Sequence, residues 1–110
     1  GVAYSVNLDN PANADPLYRF YNPGRGTHFY TASLAERDMV IATWPSVFTY
    51  EGIAYNVSAA PAPETMAVYR FYNVRSGSHF YTASAAERDH VIATWPDTFT
   101  YEGPAFYVGY

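Results

Sequence analysis

Apolar and polar residues alternate from Tyr18 to Asn22, with aromatics dominant, which is the period of a half-buried strand. Pro23-Gly24-Arg25-Gly26 has turn chemistry, and His28 to Thr31 reads as the returning strand of a hairpin. Ser33-Leu34-Ala35-Glu36 fits the S-x-x-E capping box. The spacing predicts a helix of about ten residues after it, ending near Trp44, before Pro45. Phe48 to Val57 then reads as extended chain, bent at Gly52. The same succession follows again, with a strand at Tyr69 to Asn73, a turn at Arg75-Ser76-Gly77, and a capping box at Ser84-Ala85-Ala86-Glu87. Asn7 to Pro16 and Ser58 to Ala67, rich in Pro, Ala and acidic residues, read as surface linkers.

The recurrence is a tandem duplication. A shift of 51 residues lays Leu17 to Ala59 on Val68 to Tyr110 without a gap, and 29 of the 43 aligned pairs are identical. Gly1-Val2-Ala3-Tyr4-Ser5-Val6 matches Gly52-Ile53-Ala54-Tyr55-Asn56-Val57, and both match Gly103 to Val108, so 1–6 is a partial third copy. A unit this short buries too little surface to be stable alone. The expectation is one domain over 1–110, of class α+β. It has two pseudo-symmetric copies of hairpin, short helix and strand, adding strands to a shared sheet system that the N-terminal strand completes.

Strand parity sorts the side chains into two faces. Phe20, Phe29 and Phe48 are assigned to the helix side. Arg19, Tyr21, His28, Tyr30 and Glu51 then gather on the other, and the second copy supplies Arg70, Tyr72, His79, Tyr81 and Glu102. Asn22 and Asn73 stand at the hairpin ends. Trp44 and Trp95 read either as core or, where exposed, as stacking platforms. Planar rings with guanidinium, imidazole, amide and carboxylate suit a sugar. Its C–H face stacks on an aromatic, and its hydroxyls exchange hydrogen bonds with polar groups. The structural reading stands beside this one: Arg19 with Glu51 is equally a buried ion pair of the fold. Arg37 and Asp38 read as a solvated helix face or a pin to the neighbouring unit. His90, opposite Met39, falls at a variable, exposed position and is discounted. Asn56-Val57-Ser58 matches the N-glycosylation pattern, a short and unspecific signal.

Composition sharpens the picture. Aromatics make up 19% of the chain, including 12 Tyr, a type favoured where one end of a side chain is buried and the other wet. The net charge is -4 and all basic residues are Arg, without a basic run, which argues against nucleic acid or an anionic membrane as partner. Without cysteine there is no disulfide framework or thiolate metal site, which suits a reducing compartment and equally a secreted protein lacking disulfides. Three scattered histidines make no metal pattern, so no cofactor is expected. No apolar run reaches the ~20 residues of a membrane span, and no signal-peptide pattern opens the sequence.

The combination Y-R-F-Y-N, G-x-H-F-Y-T, A-E-R-D and Y-E-G-x-A-[YF] resembles a tandem repeat family of uncharacterised function. That family is appended to secreted bacterial hydrolases and also found as small stand-alone proteins. The chain is also similar in size and aromatic content to small mushroom-type lectins. The resemblance implies a recognition module for carbohydrate and transfers no catalytic residue.

The resulting expectation is a non-catalytic lectin with two similar sugar sites for glycans or glycoconjugates, of galactose or deoxy type. Their ligand-binding residues would be Arg19, Tyr21, Asn22, His28, Tyr30, Trp44 and Glu51 with Arg70, Tyr72, Asn73, His79, Tyr81, Trp95 and Glu102. A homodimer would add avidity. The alternatives are a protein-interaction or structural repeat, and a small glycosidase using paired carboxylates such as Glu51 with Glu102 or Glu36 with Asp38.

Overall fold

The computed structural model describes residues 10–110. The expected N-terminal strand at 1–6 lies outside the described residues. The element order is β1 (Asp15–Asn22), β2 (Thr27–Thr31), α1 (Leu34–Thr43), β3 (Thr49–Val57), β4 (Thr65–Asn73), β5 (His79–Thr82), α2 (Ala85–Thr94) and β6 (Phe99–Gly109). Two three-stranded antiparallel sheets result, ordered β2-β1-β3 and β5-β4-β6, so the sheet architecture repeats within a mixed α+β fold.

Two expectations are corrected. The strands form two sheets instead of one shared system, and these meet through an isolated bridge in which Ser58 and Tyr107 exchange N–H···O bonds of 2.8 Å. The linkers are also shorter than their composition suggests. β1 begins at Asp15 and β4 at Thr65, because the long tails of β3 and β6 reach them, pairing Asp15 with Val57 and Thr65 with Gly109.

The Glu-Gly-x-Ala segment has a geometric cause. Arg19 pairs with Gly52 and Phe20 with Tyr50, so Glu51 is an extra residue; Leu17 pairs with Tyr55 and Tyr18 with Ile53, so Ala54 is another. Glu102 and Ala105 are extra in the same way in β6. Such bulges twist a strand and re-aim its side chains. Gly52 and Gly103 carry φ of 90° and 87°, a left-handed backbone that favours glycine. The bulge turns Glu51 and Glu102 toward the arginine of the neighbouring strand.

Both helices start as predicted, but only half of each capping box forms. The Ser33 and Ser84 hydroxyls accept from the N–H of Glu36 and Glu87. The Ser33 and Ser84 N–H groups donate to Thr31 and Thr82 Oγ1, which leaves the glutamate side chains available elsewhere.

The core lies in two places. Tyr18, Phe20, Phe29 and Val40, with Phe48 against them, pack α1 on its sheet, the face that strand parity assigned to the phenylalanines. Leu17, Val57, Val68, Phe106 and Val108 form a second cluster that draws on both copies. Burying an apolar side chain of this size stabilises by about 1.5–3 kcal/mol, so this shared cluster is a main tie between the copies. Arg37 and Arg88 pin each helix to its own copy: their guanidinium carbons lie 4.8 and 4.6 Å from the Tyr18 and Tyr69 ring centroids, and each pairs with the adjacent aspartate.

Candidate functional site

The polar face of the second copy lies against the first copy, and a cleft of about 580 Å³ opens along that junction. Its first wall is the helix side of copy one, with Phe29, Glu36, Met39, Val40, Trp44, Val47 and Phe48. Its second wall is the polar face of copy two, with Arg70, Tyr72, His79 and Glu102. Arg25, in the first hairpin turn, closes one end; its guanidinium lies over Gly77 of the second hairpin, where a Cβ would meet Nε at 3.4 Å.

Arg70 anchors the junction. Its Nε donates to Glu102 Oε1 at 2.8 Å, and Nη1 and Nη2 donate to Glu36 Oε1 and Oε2 at 2.9 and 3.2 Å. The two-pronged geometry matches a guanidinium to a carboxylate. The Arg70 guanidinium also sits 5.0 Å from the Phe29 ring centroid, and the His79 ring packs 4.7 Å from the same ring. Burial alone would push the Glu36 carboxyl up, but hydrogen bonds from Arg70 and Thr31 outweigh it and hold Glu36 below the usual range. Glu102 is also held low, first by its hydrogen bond with His79 and then by Arg70, against the opposing effect of burial. Burial pulls the Arg70 guanidinium down, and the Glu36 hydrogen bonds and charge more than reverse it.

Tyr81 makes the second tie. Its hydroxyl donates to the Tyr30 carbonyl at 3.0 Å and accepts from the Tyr30 N–H at 2.8 Å, capping the outer edge of β2. Burial raises the Tyr81 hydroxyl far above its ordinary value. The Tyr30 and Tyr81 rings meet edge to face at 5.7 Å.

The first-copy face has the same residues in a different setting. Arg19 Nε lies 3.0 Å and His28 Nε2 3.2 Å from Glu51 Oε1. The Glu51 contact is off the N–H axis, so Arg19 Nε is buried without a well-directed acceptor. Arg19 and His28 side chains are each 41% exposed, against 14% for Arg70 and 13% for His79. The ion pair expected between Arg19 and Glu51 forms, but on a surface. Tyr21 packs against His28 at 5.1 Å, and Tyr72 against His79 at 5.2 Å.

The remaining candidates separate by role. The Asn22 side-chain oxygen accepts from Arg25 N–H, and that of Asn73 from Arg75 and Ser76 N–H, so both shape hairpin turns; Asn22 also borders the cleft. Trp44 and Trp95 are 43% and 46% exposed, which places them at the surface and not in the core. Trp44 lines the cleft, and Trp95 a groove of about 550 Å³ beside α2. Sequence reasoning missed Glu36 as a cross-copy ligand of Arg70, since the capping box accounted for it. It also missed Arg25, whose place in a variable turn gave no signal. His90, exposed as expected, stands edge to face with Trp95 at 5.3 Å and borders the α2 groove.

Among the described residues no group of three or more His, Asp or Glu could hold a metal ion, and no helix is long and apolar enough to cross a membrane. No curated protein and no solved structure matches the chain. A family model does match, over residues 1–109, and by it the chain belongs to the family described as domain of unknown function DUF5648.

Proposed function

We propose that the protein is a non-catalytic carbohydrate-binding module whose principal site is the cleft between the two copies. The observation that carries this reading is the cleft's division of labour. Exposed Trp44 stands beside apolar Phe29, Val40 and Phe48 on one wall, and His79, Glu102, Tyr72 and Arg25 form a polar rim across from it. A pyranose fits that chemistry, stacking its C–H face on Trp44 and exchanging hydroxyl hydrogen bonds with Glu102 and His79. The volume suits a mono- or disaccharide, within the roughly 300–1,000 Å³ of small-ligand sites. The tandem pseudo-symmetry read from the sequence supplies a second, related groove on each chain, beside α2 with Trp95, and a galactose-type or deoxy sugar is the expected ligand. Glu36 and Glu102 are held below the usual carboxylate range, the opposite direction from the general acid of a glycosidase, so neither is set up for that role.

A glycan array with labelled protein, with and without EDTA, tests the reading. Trp44→Ala and His79→Ala are each expected to weaken the array hit about tenfold or more, about 1.4 kcal/mol per factor of ten. A folded protein that binds no glycan even at millimolar sugar sinks it. The second reading, a structural or protein-interaction repeat, is favoured by Arg70 and Tyr81, whose polar groups already serve the junction between copies.

A further inference from the structure

The junction inside the molecule has two halves, and each half recurs, exposed, at the other end of the chain. The α2 groove is lined by Asn73, Phe80, Glu87, Val91, Trp95 and Phe99, each the counterpart, one repeat on, of a residue on the α1 side of the cleft. Glu87, the counterpart of Glu36, is exposed and meets no cation among the described residues. At the other end, Arg19, the counterpart of Arg70, has Glu51 but lacks the second carboxylate that Arg70 receives from Glu36. Phe29 is 5% exposed beneath Arg70 and His79, whereas Phe80 has no such cover and is more exposed. The Tyr81 hydroxyl bonds the Tyr30 backbone, and no side chain among the described residues does the same for Tyr81.

We infer that these two faces bind one another between molecules: the protein associates head to tail, with the Arg19 face of one copy of the chain seated on the α2 groove of the next. The occupant is a second copy because the groups that each face lacks are the groups that the other face presents. Arg19 supplies the cation for Glu87, His28 covers Phe80, and the Tyr30 hydroxyl reaches the open β5 edge at Tyr81. Each contact repeats one already made within the chain. The contact joins different surfaces, so it generates a closed ring or an open chain of molecules, and every contact completes a further inter-copy cleft. Ser76 in place of Arg25 removes the arm that overlies the facing hairpin, and His90 in place of Met39 and Thr98 in place of Val47 make the second junction more polar than the first, so the association is weaker than the covalently linked one and concentration-dependent.

Sedimentation velocity on the intact protein over a concentration series tests this without any ligand. Reversible oligomers are expected, weakening as salt screens the Arg19–Glu87 pair. Glu87→Arg, an exposed substitution, abolishes them while leaving the melting temperature nearly unchanged; Arg19→Glu abolishes them too, with a modest loss in melting temperature because it sets a second carboxylate beside Glu51. The two single variants, each monomeric alone, associate with one another when mixed, because one carries both anions and the other both cations. A protein that stays monomeric at millimolar concentration, or oligomers indifferent to both charge reversals, overturns the inference and assigns these faces to another protein or a ligand.

Discussion

The faces around Arg19 and Arg70 carry the same arginine, histidine, tyrosines and bulged glutamate, yet one is surface and the other a junction. Arg70 has two carboxylates and an aromatic floor, while Arg19 has one carboxylate, off axis, among the described residues. The difference arises from what lies opposite: β2 and the start of α1 cover the second face, and nothing described covers the first. Identical residues therefore have different energetic roles, and residue identity alone does not distinguish a ligand-binding set from a structural one.

The sharpest way to break this comparison is to truncate both arginines. Removing one member of a fully buried ion pair costs about 3–5 kcal/mol, while exposed pairs contribute about 0–1 kcal/mol. The partners of Arg70 are partly exposed, so Arg70→Ala is expected to destabilise by about 2–3 kcal/mol in urea unfolding, and Arg19→Ala by less than about 1 kcal/mol. Equal losses would mean that the second face is no more structural than the first.

The tyrosine pair gives a smaller effect with cleaner geometry. Tyr81→Phe keeps the ring and removes both hydrogen bonds to the Tyr30 backbone. It leaves the edge of β2 without its cap, at a cost of about 1–2 kcal/mol. Tyr30→Phe removes a hydroxyl with no such role among the described residues and is expected, in a dilute sample, to fall within about 0.5 kcal/mol of the parent. A Tyr30→Phe loss as large as that of Tyr81→Phe would show that the first face also makes its contact in solution.

Much of the single-copy architecture was legible in the sequence. Alternation placed the hairpins, the capping serines placed both helix starts, and parity put Phe20, Phe29 and Phe48 together and Arg19, His28 and Glu51 together. These signals are local, with periods of two or of three to four residues. The contacts between copies have no such period. Glu36 reaches Arg70 over 34 positions, and Arg25 overlies Gly77, through the packing of two sheets. The capping-box pattern also hid Glu36, because Thr31 satisfied the N–H that the pattern assigns to the glutamate. The tryptophans stayed undecided for a related reason: the residue before a proline marks a helix end, but whether it faces core or solvent depends on what packs beyond that end.

Acid should loosen the junction before the rest of the molecule, which is the smallest and most selective of these effects. Glu36 and Glu102 titrate below their ordinary value of 4.5 when folded, through Arg70 and His79 acting against burial. A carboxylate with a depressed folded pKa contributes stability that is fully present above the unfolded value and disappears as pH falls through the folded one. Glu36→Gln keeps the shape and removes the charge. The stability gap between the parent and this variant is expected to hold constant from neutral pH to just above 4.5 and to narrow steadily below it. The same substitution at Glu87, which meets no cation among the described residues, is expected to cost less than at Glu36 when a dilute sample is unfolded at neutral pH. A gap at Glu36 that does not narrow in acid would show that its carboxylate adds nothing to the junction beyond its shape, and that the apolar cluster and the Tyr81 hydrogen bonds hold the two copies together without it.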